Sequence, residues 1–385
     1  LRSIFFSKKV QGNSLLHFKI DLHLMLSSSC SSSTTEQASL SGINTVASDV
    51  LQSKILTRLD GASLAALSCT CSDLHSFCSE ESLWRAKCSA TWPSTLDTRV
   101  QSIISTFPAG HRSFFSDSSP FLSHFGEIDL SPSVDTTELI SAVDIHYKDE
   151  VIFSRVQVAE TISGWFLCSP FRFDLIEPKE LISTGVSLTN HWEDDTWKND
   201  LEDNLSLSWI VIDPTRKRAA DVSTGKPVSV HRHWLTGEIH VKFSTIFGVG
   251  EKRRSEQVEF TVTVVLAAFS RKVEETAEMQ IREVSLVAED MEGMNLGGKG
   301  SLVILTAAMG EKRRRRAGRE EGGKEKYREF MNRKTAKEEM KLRRKKETVM
   351  ETAACLVAVV LLGFLLCFYL LIHKNMVAIM KKLIK

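Results

Sequence analysis

Between Ala353 and Ile372 the sequence runs for 20 residues without a charged side chain. A helix rises about 1.5 Å per residue, so this run matches the roughly 30 Å hydrocarbon core of a bilayer. A transmembrane helix is the expected outcome, because inside lipid every backbone polar group must be satisfied within the segment. Gly363 is tolerated in such a setting, and Tyr369 and His373 fall near one interface. The competing outcome is a wholly buried core helix, but 20 uncharged residues exceed what a helix in a domain of this size needs. Because 13 residues follow Ile372, a single-pass tail anchor is expected, with the preceding body in the cytosol. A nuclear or cytosolic protein is the alternative if the helix is not inserted. The basic run Lys341, Arg343, Arg344, Lys345 and Lys346 precedes the span and Lys374, Lys381, Lys382 and Lys385 follow it; the longer run favours the N-terminal side as cytosolic. Arg343, Arg344, Lys345 and Lys346 are expected to face lipid headgroups.

The net charge of +1 conceals an asymmetry. Residues 1–310 hold 28 Lys+Arg against 39 Asp+Glu, a net of −11, whereas residues 311–346 hold 17 against 7, a net of +10. An acidic body followed by a basic neck argues for a local electrostatic partner, the membrane, and against a globally basic nucleic-acid binder. Only Tyr327 and Phe330 are available in the neck for stacking on bases. The neck is equally well read as a solvated charged helix.

Near the other end, three helical patterns crowd residues 46–92. The first carries Val46, Val50, Leu51, Ile55 and Leu59 on one face and closes at Asp60-Gly61. Ser63 is expected to cap a second helix bearing Leu64, Leu67, Cys71 and Leu74, and Ser79 to precede a third with Leu83 and Trp84. So few residues with so much apolar surface do not make a core alone, which marks the segment as half of an interface. Asp49-Val50-Leu51, Ile55-Leu56, Leu59, Leu64, Leu67, Cys71, Leu74, Phe77 and Leu83-Trp84-Arg85 resemble an F-box, the module that docks on the Skp adaptor of cullin-RING ubiquitin ligases. Two positions depart from the family pattern: Ala47 stands where proline is usual and Ser72 where a basic residue is common. The missing proline weakens the pre-organisation of the first helix.

Helical spacing continues through Val100, Ile103, Ile104 and Phe107, and from about Ile128 the period shortens to two. Strands are expected around Ile152–Val158, Trp165–Leu175, Leu205–Ile212, Val228–His231, Ile239–Phe243, Val258–Val264 and Ile281–Val287, with turns at Asp213-Pro214, Thr224-Gly225 and Thr236-Gly237. Short strands without alternating helices predict an antiparallel β-sandwich or partly closed barrel. Trp209-Ile210-Val211-Ile212-Asp213-Pro214 and His231-Arg232-His233-Trp234-Leu235-Thr236-Gly237 are similar to the carboxy-terminal region of a plant F-box subfamily. The expected class is α+β: a lead over residues 1–45, disordered, with Met25 the expected start; F-box-like helices over 46–92; a helical linker over 93–126; a β-rich domain over 127–310; a basic juxtamembrane segment over 311–352; the span 353–372; and a tail, 373–385.

Catalytic patterns fail on their context. Gly293–Gly300 approximates a phosphate-binding loop, but Gly300 replaces the hydroxyl that would hold magnesium and an acidic stretch precedes it, so a flexible glycine turn is expected. Gly61-Ala62-Ser63-Leu64-Ala65 lacks the last glycine of a nucleophile elbow. His231 and His233 are expected on opposite faces of a strand or in a turn before Trp234, which rules out a shared metal. Cys69, Cys71, Cys78 and Cys88 lack ligand spacing and read as small buried helix residues of a reducing compartment. No metal, cofactor or catalytic residue is expected. The acidic run Glu193 to Asp203 is expected to be a solvated loop that either presents Trp192 and Trp197 to a partner or lays them over the sheet, the second reading at least as good as the first.

The resemblance implies a substrate-recognition subunit of a Skp-cullin-F-box (SCF) ubiquitin ligase. It would bind the Skp adaptor and, through it, cullin and RING subunits, with an unidentified protein substrate on the β-rich domain. Val46, Val50, Leu51, Ile55, Leu59, Leu64, Leu67, Leu74 and Trp84 are its candidate adaptor interface or supporting core. A tail-anchored β-sandwich binding lipid or carbohydrate, with no ubiquitin role, is the alternative.

Overall fold

A computed structural model of the chain describes residues 48–119, 135–189, 196–249, 256–270, 276–310 and 321–383. Val46, Ala47, Ile128, Trp192 and the run Lys312–Arg316 lie outside them. The expected first helix is an irregular run, α1: an α-turn Ser48–Val50, a π segment Leu51–Ile55 and a 3-10 turn Leu56–Arg58. These changes of pitch turn Leu51 and Leu56 inward while leaving Val50 exposed. The expected second helix is two, α2 (Gly61–Leu67) and α3 (Ser72–Phe77). Its cap is Asp60 and not Ser63: the carboxylate accepts the Ser63 N–H at 2.7 Å. An aspartate there also suits the positive end of the helix. Then come α4 (Glu81–Thr91), a 3-10 turn Pro93–Leu96, α5 (Thr98–Ile104) and α6 (Gly110–Ser118).

Two antiparallel sheets make up the β-rich domain. One is built from β1 (Glu138–Tyr147), β2 (Glu150–Glu160), β5 (Leu205–Asp213) and β6 (Arg218–Asp221), in the order β2-β1-β5-β6. The other uses β3 (Arg172–Asp174), β4 (Ile182–Thr189), β7 (Ser229–Arg232), β8 (Ile239–Val249), β9 (Glu256–Ser270) and β10 (Thr276–Asp290); its order is β3-β10-β9-β8-β7, with β4 also on β10. The period of two decides which core each side chain enters. Leu205, Leu207, Trp209 and Val211 of β5 join Val241, Phe243, Phe260 and Val262 between the sheets. Ile210 and Ile212 face the opposite way, with Ile140 and Ala142, onto Val100, Ile104 and Phe114 of the linker helices. Each large apolar side chain so buried stabilises the fold by about 1.5–3 kcal/mol before entropy is counted.

Several expected elements differ. Trp165–Leu175 is not one strand but a short helix α7 (Gly164–Cys168) followed by β3, because the Ser163 hydroxyl accepts the Phe166 N–H at 3.2 Å and starts a helical turn. The acidic loop is a helix, α8 (Thr196–Asn204), whose Leu201 is buried and whose Trp197 packs half-buried against the main core. Within the glycine run, Gly293 adopts φ +74° in a turn. Gly298 opens a buried helix, α9 (Gly298–Gly310), where a Cβ would stand 2.2 Å from the Phe166 carbonyl. That glycine serves close packing, not flexibility. Of the four clustered cysteines, Cys78 and Cys88 are buried but Cys69 and Cys71 are exposed.

The last element is one helix, α10 (Glu321–Leu383), joining the basic neck to the apolar run without a break. Its first turns lie on the outer face of the six-stranded sheet over β8, with Phe330 buried and the Lys242 ammonium 5.2 Å from the Tyr327 ring centre. Lys324 pairs with Glu202 at 3.2 Å, and Lys337 and Lys341 reach Glu292 at 3.1 and 2.7 Å. The neck is thus partly docked on its own acidic body. From Ala353 onward the described apolar side chains are exposed, and this is one helix long and apolar enough to cross a membrane.

Candidate functional site

The helical module has its own small core of Leu51, Leu56, Leu64, Leu67, Leu74, Cys78, Leu83 and Trp84. The Trp84 indole donates to the Cys78 carbonyl at 2.6 Å, so its one polar atom is satisfied inside. Of the residues proposed from sequence, Leu51, Leu64, Leu67, Leu74 and Trp84 are therefore supporting core. Ile55 and Leu59 are half-buried, and Val50 is 44% exposed. These three, half-buried Phe77, and exposed Ala62, Ala65 and Ala66 on α2 are among the apolar groups a partner can reach.

Polar contacts weld this module to the linker helices and the first sheet. The Glu81 carboxylate meets the buried His111 ring and accepts the His111 N–H at 3.2 Å, capping α6. Arg112 donates to Ser79 at 2.8 Å and to Ser68 at 3.2 Å. Asp117 pairs with Arg218 at 3.1 Å. Deepest is Asp144 of β1, which holds Ser94 and Ser154; burial raises its pKa, and the bonds from Ser94 and Ser154 work against that rise.

At the opposite side, register gathers charges that are scattered in sequence. His240, Val265 and Glu283 share one row across β8, β9 and β10. With Arg172 and Asp174 of β3, Glu238 and Arg282, they line an open cleft of about 510 Å³. Arg172 is held by Asp174 at 2.6 Å and Glu283 at 3.1 Å, and Arg282 by Glu238. At its edge the β7–β8 turn carries Trp234, 87% exposed, and Leu235, 71% exposed. Neither was picked out as a contact from sequence; two large apolar residues directly before Thr236-Gly237 were the available signal. Trp197 packs half-buried against the main core.

His231 and His233 do not point to opposite faces. Residues two apart on a strand share a face, and both rings neighbour His240, at 5.2 and 5.6 Å between centres. A metal is nonetheless poorly served. His233 Nδ1 already accepts the Thr236 N–H at 3.2 Å. Among the described residues no group of His, Cys, Asp or Glu is arranged to hold a metal.

An F-box-like domain profile matches residues 49–90. The Arabidopsis thaliana F-box protein At3g44326 is 77% identical over 364 residues, covering 94% of this chain and all of that relative. F-box protein At2g27310 from the same plant is 41% identical over 78% of this chain and 89% of its own length. Probable F-box protein At2g36090 is 43% identical over 84% of this chain and 92% of its own. The chain belongs to the F-box protein family. No solved structure matches it. F-box proteins in general bind the Skp adaptor and act as non-catalytic substrate adaptors of SCF ligases. In this F-box protein the matched residues coincide with the small core around Trp84 and its exposed rim.

Proposed function

We propose that this F-box protein is the substrate-binding subunit of an SCF ubiquitin ligase held at a membrane surface. The observation that carries the reading is the apolar rim of exposed Val50 with half-buried Ile55 and Leu59 at the edge of the small core around Trp84. That rim would meet the Skp adaptor, the sandwich would hold the substrate, and the welds at Asp144 and Glu81 would fix the distance between them. The chain contributes proximity: a held substrate lysine sees a charged ubiquitin carrier at high effective concentration. Residues 353–372 would span the bilayer. Exposed Arg343, Arg344, Lys345 and Lys346 would attract anionic headgroups at about 1 kcal/mol each.

Affinity purification of the full chain from a detergent extract tests this. The wild type should recover Skp adaptor and cullin, and Val50→Glu with Ile55→Glu should recover neither while remaining folded. Equal recovery by both would reject the assignment. Leu51 is unsuitable for this purpose because it is core. Deleting residues 353–385 should move the protein from the membrane pellet to the supernatant; continued sedimentation would reject the anchor.

A further inference from the structure

The outer face of the six-stranded sheet is only half covered. α10 lies over Lys242 and its buried partner Glu259, 2.7 Å away, while the row His231, His240, Val265 and Glu283 beyond them stays open as the cleft. The turn beside that cleft is rigid. His233 N–H donates to the Glu238 carbonyl at 2.7 Å, Gly237 N–H to the His233 carbonyl at 2.9 Å, and Arg232 Nε to the Gly237 carbonyl at 3.2 Å. A tryptophan exposed on a pre-ordered turn can be buried by a partner with little loss of chain entropy, which is what an interface anchor requires.

Charge selects the partner. The cleft is lined by four carboxylates, Asp174, Glu177, Glu238 and Glu283, against three cations, Arg172, Lys179 and Arg282. Both arginines are paired, Arg172 with Asp174 and Glu283 and Arg282 with Glu238, so the lining keeps a net of −1, within a body whose residues 1–310 carry a net of −11. Alongside, Trp234, His233, His240 and His231 form a ladder of tilted and stacked rings. Burial, together with the neighbouring His240, His233 and Lys242, lowers the pKa of His231. The face of a Trp ring attracts a cation. The segment already seated on this sheet face is itself basic: Lys324, Lys337 and Lys341 of α10 all end on carboxylates of the body.

We propose that the cleft and the Trp234 turn are a docking surface for an Arg- and Lys-bearing segment of a partner protein. This rests on the reading of the sandwich as the substrate-holding module, and it gives that substrate a chemical class: a basic segment with an apolar residue to cover Trp234 and Leu235.

Fluorescein-labelled hexa-arginine and hexaglutamate, each with one leucine added, serve as probes against the full chain in detergent micelles, read by fluorescence anisotropy at low ionic strength. The arginine probe should bind and the glutamate probe should not. Trp234→Ala, and Glu177→Gln with Glu238→Gln, should each weaken binding about tenfold, a change of about 1.4 kcal/mol. Glu150→Gln, an exposed carboxylate at the start of β2, should leave binding unchanged. Wild-type affinity in Trp234→Ala, an equal loss in Glu150→Gln, or tighter binding of the glutamate probe would overturn the proposal. Leu235→Ser is the second variant if Trp234→Ala alters the circular dichroism spectrum. Adaptor recovery by the same variants should stay at the wild-type level; its absence from the wild type too would count against the ligase reading and not against this surface.

Discussion

Asp144 holds Ser94 with both of its oxygens, one accepting the backbone N–H at 2.8 Å and the other the hydroxyl at 2.5 Å. The first oxygen also accepts the Ser154 hydroxyl at 2.7 Å. One buried side chain of the central strand therefore pins the turn beyond the F-box and ties it to the edge strand. Asp144→Ala would strand these donors and should lower stability by about 2–4 kcal/mol, against about 1 kcal/mol for Ser154→Ala, both measurable by urea denaturation of the body. Equal losses would mean that the turn is held by packing alone.

Gly298 and Gly300 make a paired test of α9. A Cβ on Gly298 meets the Phe166 carbonyl at 2.2 Å, whereas one on Gly300 meets nothing within 4 Å. Gly298→Ala should destabilise by about 1–3 kcal/mol through overpacking. Gly300→Ala should be neutral or stabilising by a few tenths up to about 1 kcal/mol, since alanine favours the helix. Thermal melts of the two variants separate these outcomes.

Asp221 is wholly buried, and that burial pushes its pKa up to about 7, against bonds from Ser223 and Trp209. The folded state then binds the proton more tightly than the unfolded one. Its contribution is complete below the ordinary value of 3.8 and is lost as pH rises through about 7. Stability should fall over that window by up to about 1.4 kcal/mol per pH unit, and Asp144, raised in the same direction, adds to the fall. Asp221→Asn should flatten the profile, which denaturation series between pH 5 and pH 8 would reveal as a smaller slope than the wild type.

Phe330 carries the docking of α10 on the sheet. Phe330→Ala should speed amide hydrogen exchange over residues 324–341 and weaken the contact by about 3 kcal/mol or more. Lys337→Ala with Lys341→Ala should act much less, by under about 1 kcal/mol, because those pairs with Glu292 are solvent-exposed. The reverse ranking would make the docking electrostatic.

Periodicity is the part of this fold that was legible in the sequence. The strands around Val156, Trp209, Val241, Val262 and Val284 could be found because one face of each is buried and the other is not, or because the apolar run is long. α9 escaped notice because Ser301–Met309, apolar but for Ser301 and Thr306, is buried on nearly every side, and no clear period survives in such a helix. The irregular α1 escaped for the opposite reason: a regular helical face was expected, and a π segment shifted it. The cleft was illegible altogether. Arg172 and Glu283 are 111 residues apart and meet only through the β3–β10 register, which no local pattern encodes. Trp197 was open to two readings because its acidic neighbours point to solvent, whereas the apolar Leu201 draws the helix inward.

The unbroken backbone of α10 has a mechanical meaning. Helical residues advance by about 100° each, and the same helix is gripped by Glu292 through Lys341 and enters the proposed anchor at Ala353. The compass heading of the body about the membrane normal is thereby geared to the length of the intervening helix. Lengthening that stretch by two residues would swing the F-box about 200°, to the opposite side of the horizon, while raising it only about 3 Å.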